Sequence, residues 1–492
     1  MVNVSETAPH GNPGAAALYA GVAKIDITAS DHGYINDPLY VKALALRQGE
    51  TNAVIITVDA VAIGEIGPIG HEYLSGVRTR LQQELGIAAD QVLINASHCH
   101  GLVCADAERR TVEAVTAAVR SMVPVRVLVG VGHEDRIMEN RRLRLRNGSE
   151  ADVRHAYALP PDEQIVDTGP VDPRIGLLRL DRMDGRSLAV LFHFACHPIQ
   201  GVPNDGITAD LSGFAAASVE ACIGGDAVAL FLQGCSGDVN PVGYKDDHSP
   251  RNAEALGHRL GSSVIKGMQG MQRSVDARLA TRRRTIRLPA ADLEPCIRSL
   301  EIEQSRMLHS LRGTSLDLKG FLQLYTRYHL FPENPSASSY RYLHEQSMGR
   351  DHLVAQDRRN RAALEDYIAN VRAMEELTRI QVNLDLLRLH RGQIAALEHD
   401  TIDAEIFGLR IGDFVLIAFP GELAVQIGLD IQAASPHPFT FVSGVSNGYI
   451  YYAPTADQLR NRGGAQEDSD CLLAPEWQQI FESKAAEILA QL

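Results

Sequence analysis

The strongest constraint on the fold is a pattern that recurs along the chain, in which a short apolar run ends in a loop that carries a reactive side chain. Buried strands rich in branched or aromatic residues are predicted at 92–96, 187–195, 227–233, 414–419 and 439–445. Loops broken by Gly or Pro follow these runs, and they hold His98, His100, His197, Asp238, Glu422 and Tyr452. Proteins of the α/β class place binding groups in loops beyond strand ends. The pattern therefore predicts an α/β fold with its functional site in these loops.

The remaining periodic segments complete a prediction of mixed β-sheets flanked by helices. Further strands are predicted at 18–28, 41–47, 53–59, 175–182 and 402–409, and helices at 72–85, 107–121, 211–222 and within 476–492. Strand signals vanish over about 291–378, where charge density rises, so we expect a helical insertion there. Residues 379–390 alternate like a strand and are ambiguous. We predict a disordered segment at 1–17 and one large domain at 18–492.

Composition and charge argue against several classes of partner. The formal net charge is −14 without a Lys/Arg-rich block, which disfavours nucleic acid or an anionic membrane surface. No apolar run approaches the ~18 residues of a membrane span. The seven cysteines include no Cys-X-X-Cys pair, and the first residues lack the features of a signal peptide. We therefore expect a cytoplasmic protein that acts on a small molecule, without insertion into membranes; a homo-oligomer is left open.

Two histidines, His98 and His100, stand two positions apart just after the strand at 92–96. If extended geometry persists that far, both imidazoles point to the same side. Both could then face one metal, or one could bind metal while the other carries protons. His197 ends a later strand, and Glu422 lies in Pro-Gly-Glu. Two histidines and one glutamate are a usual catalytic zinc set that leaves a position open for water.

Each of these residues also has a structural interpretation. The two nearby histidines could be a loop pair with ordinary hydrogen bonds, and His197 could bond a neighbouring carbonyl. Glu422 could stabilise the start of the following helix. Tyr449, Tyr451 and Tyr452 could be packing residues with solvated hydroxyls. The choice between these interpretations and a metal site depends on whether the loops meet in the fold.

Three well-known hydrolase patterns fit poorly. The metallo-β-lactamase pattern needs Asp two places after the second histidine, where Leu102 stands. Barrel amidohydrolases carry His-X-His on their first strand, whereas about ninety residues precede it here. Ser236 lies in Gly-Cys-Ser-Gly-Asp, which lacks the Gly-X-Ser-X-Gly spacing of a nucleophile elbow.

One family accounts for the motifs together. In chain order these are GVAKIDIT (21–28), NASHCHG (95–101), NR (140–141), FACHP (194–198), QGCSGDVNP (233–241), FPGE (419–422) and SNGYIYYAPT (446–455). They resemble the catalytic domain of neutral/alkaline ceramidases. The resemblance runs from residue 20 to about 460, with an interruption at 291–378.

The resemblance implies a role for each matching residue. It implies a zinc ion held by His98, His197, Glu422 and Tyr452. It also implies that His100 is the acid/base group. Arg141 would help to hold the substrate during catalysis, and we expect Asn240 and Tyr449 to contact the substrate too. The reaction implied is hydrolysis of a linear amide by water that zinc activates, with a nearby histidine protonating the leaving amine.

Three departures from the family pattern concern the substrate. Asn240 takes the position of the family's active-site serine, and Arg-Gly-Gly-Ala at 462–465 replaces a Gln-X-Tyr-Glu stretch. We also expect the family's C-terminal immunoglobulin-like domain to be absent. These changes leave the zinc chemistry intact and favour a soluble N-acyl substrate over ceramide.

The alternatives are a true ceramidase, a zinc hydrolase of esters, lactones or glycosidic bonds, and a metal- or ligand-binding protein on the same scaffold. The last of these has no need of His100 and Arg141.

Overall fold

The computed structural model describes residues 17–31, 33–153, 159–244 and 250–492. The segment predicted to be disordered, 1–17, lies outside the described residues except for Ala17. The strands are β1 Leu18–Asp26, β2 Tyr40–Gln48, β3 Thr51–Val58, β4 Val92–Ala96, β5 Val123–His133, β6 Met138–Asn140, β7 Arg142–Leu145, β8 Glu150–Asp152, β9 Ile165–Thr168, β10 Arg174–Arg182, β11 Ser187–Phe194, β12 Val228–Gln233, β13 Val239–Pro241, β14 Gln272–Arg273, β15 Leu279–Pro289, β16 Thr401–Ile411, β17 Phe414–Ala418, β18 Glu422–Leu423, β19 Phe439–Ser443 and β20 Tyr452–Ala453. The helices are α1 Glu72–Leu85, α2 Ala107–Arg120, α3 Asp210–Ile223, α4 Ala253–Met268, α5 Glu294–Ser310, α6 Leu318–Leu330, α7 Ser339–Ser347, α8 His352–Ala395, α9 Val425–Ala434, α10 Ala456–Leu459, α11 Gln466–Ser469 and α12 Trp477–Leu489.

Two mixed sheets form the centre of the molecule. The larger sheet runs in the order β12-β11-β10-β5-β1-β2-β3-β4, with β14 beside β5. Within it β3–β4 and β11–β12 are parallel, whereas neighbours such as β1–β2 and β10–β11 are antiparallel. The smaller sheet runs in the order β15-β16-β17-β19, and its β17–β19 pair is parallel. The prediction of mixed β-sheets is therefore confirmed.

The two sheets pack face to face and are covered by helices on their outer sides. Phe407 and Leu416 of the smaller sheet share a buried cluster with Leu44 and Leu178 of the larger one. Alternate residues of the smaller sheet point the other way, toward Trp477 of α12. Helices α1 and α2 pack on β2–β4, while α3 and α4 pack on β10–β12. The result is a four-layer arrangement of helices, sheet, sheet and helices.

The segment 294–395 is helical, and it includes the ambiguous residues 379–390. These residues belong to α8, which has 44 residues and extends beyond the expected limit at 378. Burial in this part of α8 recurs at Ile380, Leu384 and Leu387, and these residues pack against α5. That spacing is the period of a helix, so packing against α5 overrides the local alternation. No helix in the described ranges is both long and apolar enough to cross a membrane.

The parallel strand pairs bring several strand ends to one place between the sheets. Asn95 of β4 links the ends of β4, β12 and β19 through side-chain hydrogen bonds. Its Nδ2 donates to Ser443 Oγ at 3.1 Å and to the Gly444 carbonyl at 2.9 Å, while its Oδ1 accepts from the Gln233 amide at 3.0 Å. The loops after β4, β12 and β19 therefore leave the core side by side.

Candidate metal centre

Three of the predicted metal ligands meet at one point. Ligand atoms of His98, His197 and Glu422 lie within 4.8 Å of one another, and all three residues are buried. His98 lies in the loop after β4, His197 lies in the loop after β11, and Glu422 begins β18. The residues are far apart in the sequence, so the convergence of the strand ends assembles the group.

The imidazoles of His98 and His197 use their Nδ1 atoms in hydrogen bonds, so their Nε2 atoms can bind a cation. Nδ1 of His98 donates to the Val61 carbonyl at 2.6 Å, and Nδ1 of His197 donates to the Val239 carbonyl at 3.2 Å. Because a carbonyl oxygen only accepts, a neutral imidazole so placed carries a lone pair on Nε2. The two Nε2 atoms lie 3.3 and 2.9 Å from Glu422 Oε2. These lone pairs and the carboxylate repel one another unless a cation lies among them, so the group fits a bound metal ion.

Burial and neighbouring charge favour the protonation states that metal ligands need. Burial, reinforced by the Arg141 guanidinium, lowers the pKa of His197 to about 3. A neutral imidazole and an ionised carboxylate are the forms that coordinate metals.

A cavity of about 570 Å³ opens over this group. The predicted residues that line it are His98, His100, Arg141, His197, Glu422, Tyr449 and Tyr452. The loop from Pro198 to Asp210 forms another side. The lining residues that were not predicted include Leu386, Leu389 and Asp470. The leucines belong to α8, so this helix forms part of the cavity.

The backbone turns sharply between the two histidines of the His-X-His motif. β4 ends at Ala96, and His98 has a left-handed φ of 69°, which is uncommon outside glycine. The His98 amide donates to the Ala60 carbonyl at 2.9 Å, which fixes the loop to the chain after β3. Extended geometry therefore ends before the motif, yet the rings of His98 and His100 are 5.8 Å apart. His98 faces the ligand group, whereas His100 is exposed in the cavity.

Glu422 is fixed by its backbone and by a tyrosine. The short parallel pair β18–β20 places Glu422 opposite Tyr452. The Tyr449 hydroxyl donates to Glu422 Oε1, so it helps to orient the carboxylate from within the cavity lining. The Tyr452 ring stacks on His197 with 6.5 Å between centroids. Tyr452 thus lies beside the candidate ligands.

Close approach of a neighbouring loop depends on a glycine. A Cβ atom at Gly237 would lie 2.5 Å from the Glu422 carbonyl oxygen. The Gly237 amide donates to the Leu423 carbonyl at 2.8 Å. The loop after β12 can therefore reach the Glu422 backbone only because this position has no side chain.

Arg141 lies in the cavity lining and is held by buried partners. Its Nε lies 2.6 Å from Glu467 Oε1, and its Nη1 donates to Asn240 Oδ1 at 3.0 Å. Its Nη2 donates to the Gly237 carbonyl, and its guanidinium lies 5.5 Å from the centre of the Tyr452 ring. Asn240 was predicted to contact substrate; in the structure its side chain contacts Arg141, and it is not among the residues that line the cavity.

Two neighbours of the candidate site, Glu467 and Asp470, could not be identified from the sequence, for different reasons. Glu467 is fully buried against Arg141, but a lone acidic residue in a short polar segment gives no signal of burial. Asp470 lines the cavity because its segment pairs with the chain around Tyr451. Gly464, which precedes Asp470 in the chain, is typical of a loop. The sequence does not indicate which cavity that loop borders.

Comparison with known proteins finds similarity at the level of structure. A scan against models of protein families and a search of curated proteins find no match. Among solved structures, this chain is similar to a neutral ceramidase from Pseudomonas aeruginosa, with a TM-score of 0.60 and 16% identity over 97% of this chain and 75% of that one. It is also similar to a ceramidase complexed with C2, with a TM-score of 0.61 and 15% identity over 96% and 75% of the two chains. The chain therefore has a ceramidase-like fold.

Proposed function

We propose that this chain is a zinc-dependent hydrolase that cleaves a linear amide bond in a small, soluble N-acyl substrate. The observation that carries the proposal is the buried group of His98, His197 and Glu422 beneath a cavity of about 570 Å³. The ceramidase names of the structural neighbours support an amide as the bond cleaved. Sequence identity of about 16% leaves the substrate to be argued from this chain's own residues.

The donor set favours zinc as the metal. Two imidazoles and one carboxylate leave a coordination position open in a tetrahedral zinc site, and Tyr452 lies beside the group as a further candidate ligand. A zinc ion held there would supply Lewis-acid chemistry, lowering the pKa of water and polarising a carbonyl oxygen. The backbone carbonyls of Val61 and Val239 accept hydrogen bonds from the Nδ1 atoms of the two imidazoles. This is a usual way to orient metal-binding histidines.

The other residues of the cavity account for substrate positioning and proton transfer. His100 is exposed to the cavity, so its ring can hold a proton and deliver it to the amine nitrogen that leaves. Arg141 presents a positive charge held in place by Glu467 and Asn240, which suits orientation of the amide oxygen. Water can enter because the cavity is open, and it adds to the acyl carbon as the C–N bond breaks.

Hydrolysis of simple amides tests the proposal. Purified protein should hydrolyse at least one amide from a panel of short N-acyl amines, and a chelator should remove the activity. Zinc should then restore it. Esters, lactones, aryl glycosides and short-chain ceramide in the same panel test the competing substrates. Hydrolysis of one of these alone would replace the amide proposal, and efficient cleavage of ceramide would refute the preference for soluble substrates. A cytoplasmic location stays a prediction that fractionation of source cells can test.

A further inference from the structure

A carboxylate that the proposed reaction does not use lines the same cavity. Asp470 is partly buried, with 13% of its side chain exposed, and it lies at the cavity surface. Its carbonyl accepts from the Tyr452 amide at 3.1 Å, and its own amide donates to the Gln466 carbonyl at 2.8 Å. The backbone on both sides of Asp470 is therefore fixed next to a candidate metal ligand.

Helix α8 orients this carboxylate through a buried histidine. His390 is completely buried, and its Nε2 donates to Asp470 Oδ1 at 2.8 Å. Its Nδ1 contacts Gln393 Oε1 at 2.7 Å, and the Gln393 amide donates to the Tyr451 hydroxyl at 2.7 Å. The His390 ring also packs edge-on against Tyr451, with 4.6 Å between centroids. Both ring nitrogens are thus engaged, so the histidine cannot turn without breaking two contacts.

Other buried charged groups border the same cavity, and they are held in different ways. Asp210 accepts from the backbone amides of Gly201 and Leu211 at 2.6 and 2.7 Å. Glu422 belongs to the candidate metal group, and Arg141 is paired with Glu467. Asp470 differs from these residues because a buried side chain from the helical segment directs it while part of its surface faces the cavity. A fixed carboxylate in such a position recognises a hydrogen-bond donor.

We propose that Asp470, positioned by His390, binds a hydrogen-bond donor of the substrate, an ammonium or a hydroxyl group, beside the bond that is cleaved. This inference deepens the proposed amide hydrolysis and rests on it. The substrate class that it names is a short N-acyl compound with a polar donor close to the amide. The neighbouring Leu386 and Leu389 then contact the apolar part of the same molecule.

Two matched triplets of small amides test the inference. One triplet varies the amine half: N-(2-aminoethyl)acetamide, N-(2-hydroxyethyl)acetamide and N-propylacetamide. The other varies the acyl half: N-propylglycinamide, N-propylglycolamide and N-propylpropionamide. In one of the triplets, zinc-loaded wild type should prefer the ammonium or hydroxyl member over the methyl member by about 10- to 100-fold in kcat/KM, the usual effect of a hydrogen bond to a charged group. Equal rates within both triplets would overturn the inference.

Two variants assign that preference to specific residues. Asp470→Asn keeps the shape and removes the charge, so the ammonium preference should fall below about threefold, chiefly through KM. His390→Gln should lower it in the same direction, and the double variant should be no worse than Asp470→Asn because the two residues act as a unit. The matched control is Asp430→Asn, an exposed carboxylate that does not line the cavity, which should keep the preference. If all members slow equally in Asp470→Asn, the role is structural and the inference fails.

Calorimetric binding separates this inference from the proposed hydrolysis. If no amide is cleaved although zinc is bound, the hydrolase proposal fails, and binding of the same six compounds to zinc-loaded protein still measures the preference. If the ammonium or hydroxyl members bind more tightly than the methyl members, and Asp470→Asn abolishes this difference, the inference is supported by itself. Indistinguishable binding of all six compounds would refute it.

Discussion

The two sides of the cavity differ in how they are built. The ligand side consists of the loops that carry His98, His197 and Glu422, and these loops follow β4, β11 and β17 of the central sheets. The α8 side consists of Leu386, Leu389 and Asp470, supplied by a long helix and by a segment near the end of the chain. Rigid strand ends suit a geometry that must be kept within tenths of an ångström, whereas a helix packed onto the domain can vary without moving the candidate metal ligands. The comparison suggests that chemistry resides on the ligand side and substrate choice on the α8 side.

The largest expected effect is on the ligand side, at His100. His100→Ala should keep its zinc and lose about 10²–10⁴-fold in kcat, the usual contribution of a positioned acid/base group. Steady-state kinetics together with metal analysis of the same samples measures both quantities. An active His100→Ala enzyme would remove the proton-transfer role from this residue.

The support of Arg141 should matter for stability as well as activity. Glu467→Gln removes the carboxylate charge that lies 2.6 Å from the buried Arg141 guanidinium, so the free energy of unfolding should fall by about 3–5 kcal/mol. Denaturant unfolding of wild type and variant gives this difference. The control is Glu113→Gln, which breaks an exposed ion pair with Arg109 and should change stability by less than about 1 kcal/mol. Equal effects of the two substitutions would contradict the importance of burial.

The α8 side should show a smaller effect that depends on the substrate. Leu386→Ala should leave zinc content unchanged and alter kcat/KM by less than about 10-fold, because the side chain is only partly buried in the free protein. The change should differ between amides of different acyl length. A uniform loss of more than about 100-fold for every amide would show that α8 takes part in the chemistry.

A modest effect of pH is expected from Asp210, at the end of the loop that forms another side of the cavity. Burial raises the pKa of Asp210 to about 6, although the Gly201 and Leu211 amides oppose the shift. The folded state therefore binds a proton more tightly than the unfolded chain, and this contribution to stability is present at low pH and lost as pH rises through about 6. Asp210→Asn should remove it, at most about 3 kcal/mol. The melting temperature of wild type minus that of the variant should thus be larger at pH 4 than at pH 7, and the opposite sign would contradict the shift.

The difference between the ligand side and the α8 side also explains how much of the structure the sequence could predict. Strands and helices with clear periodicity are found where they were expected, and helix α1 has the predicted limits, because each buries one face against a sheet. His98, His197 and Glu422 could be grouped from the sequence because each stands at a strand end, and strand ends converge in this class of fold; the structure brings the three side chains together, and their role as metal ligands stays a prediction.

The α8 side could not be predicted in the same way. Alternation over 379–390 favours a strand until the packing of Ile380 and Leu384 against α5 is known. Nothing local to Asp470 or His390 indicates that they contact each other across 80 positions of sequence. Such contacts depend on how the helical segment packs onto the domain, which periodicity does not determine.

Metal content is the most direct test of the central claim that His98, His197 and Glu422 form a zinc site. Atomic spectroscopy of protein purified without added metal should find about one zinc per chain. His197→Ala should lose most of the zinc and stay folded, as judged by circular dichroism, since a core of this size does not depend on one ion. The matched control is His133→Ala, an exposed histidine outside the cavity lining, which should keep its zinc. Full zinc occupancy in folded His197→Ala would contradict the account.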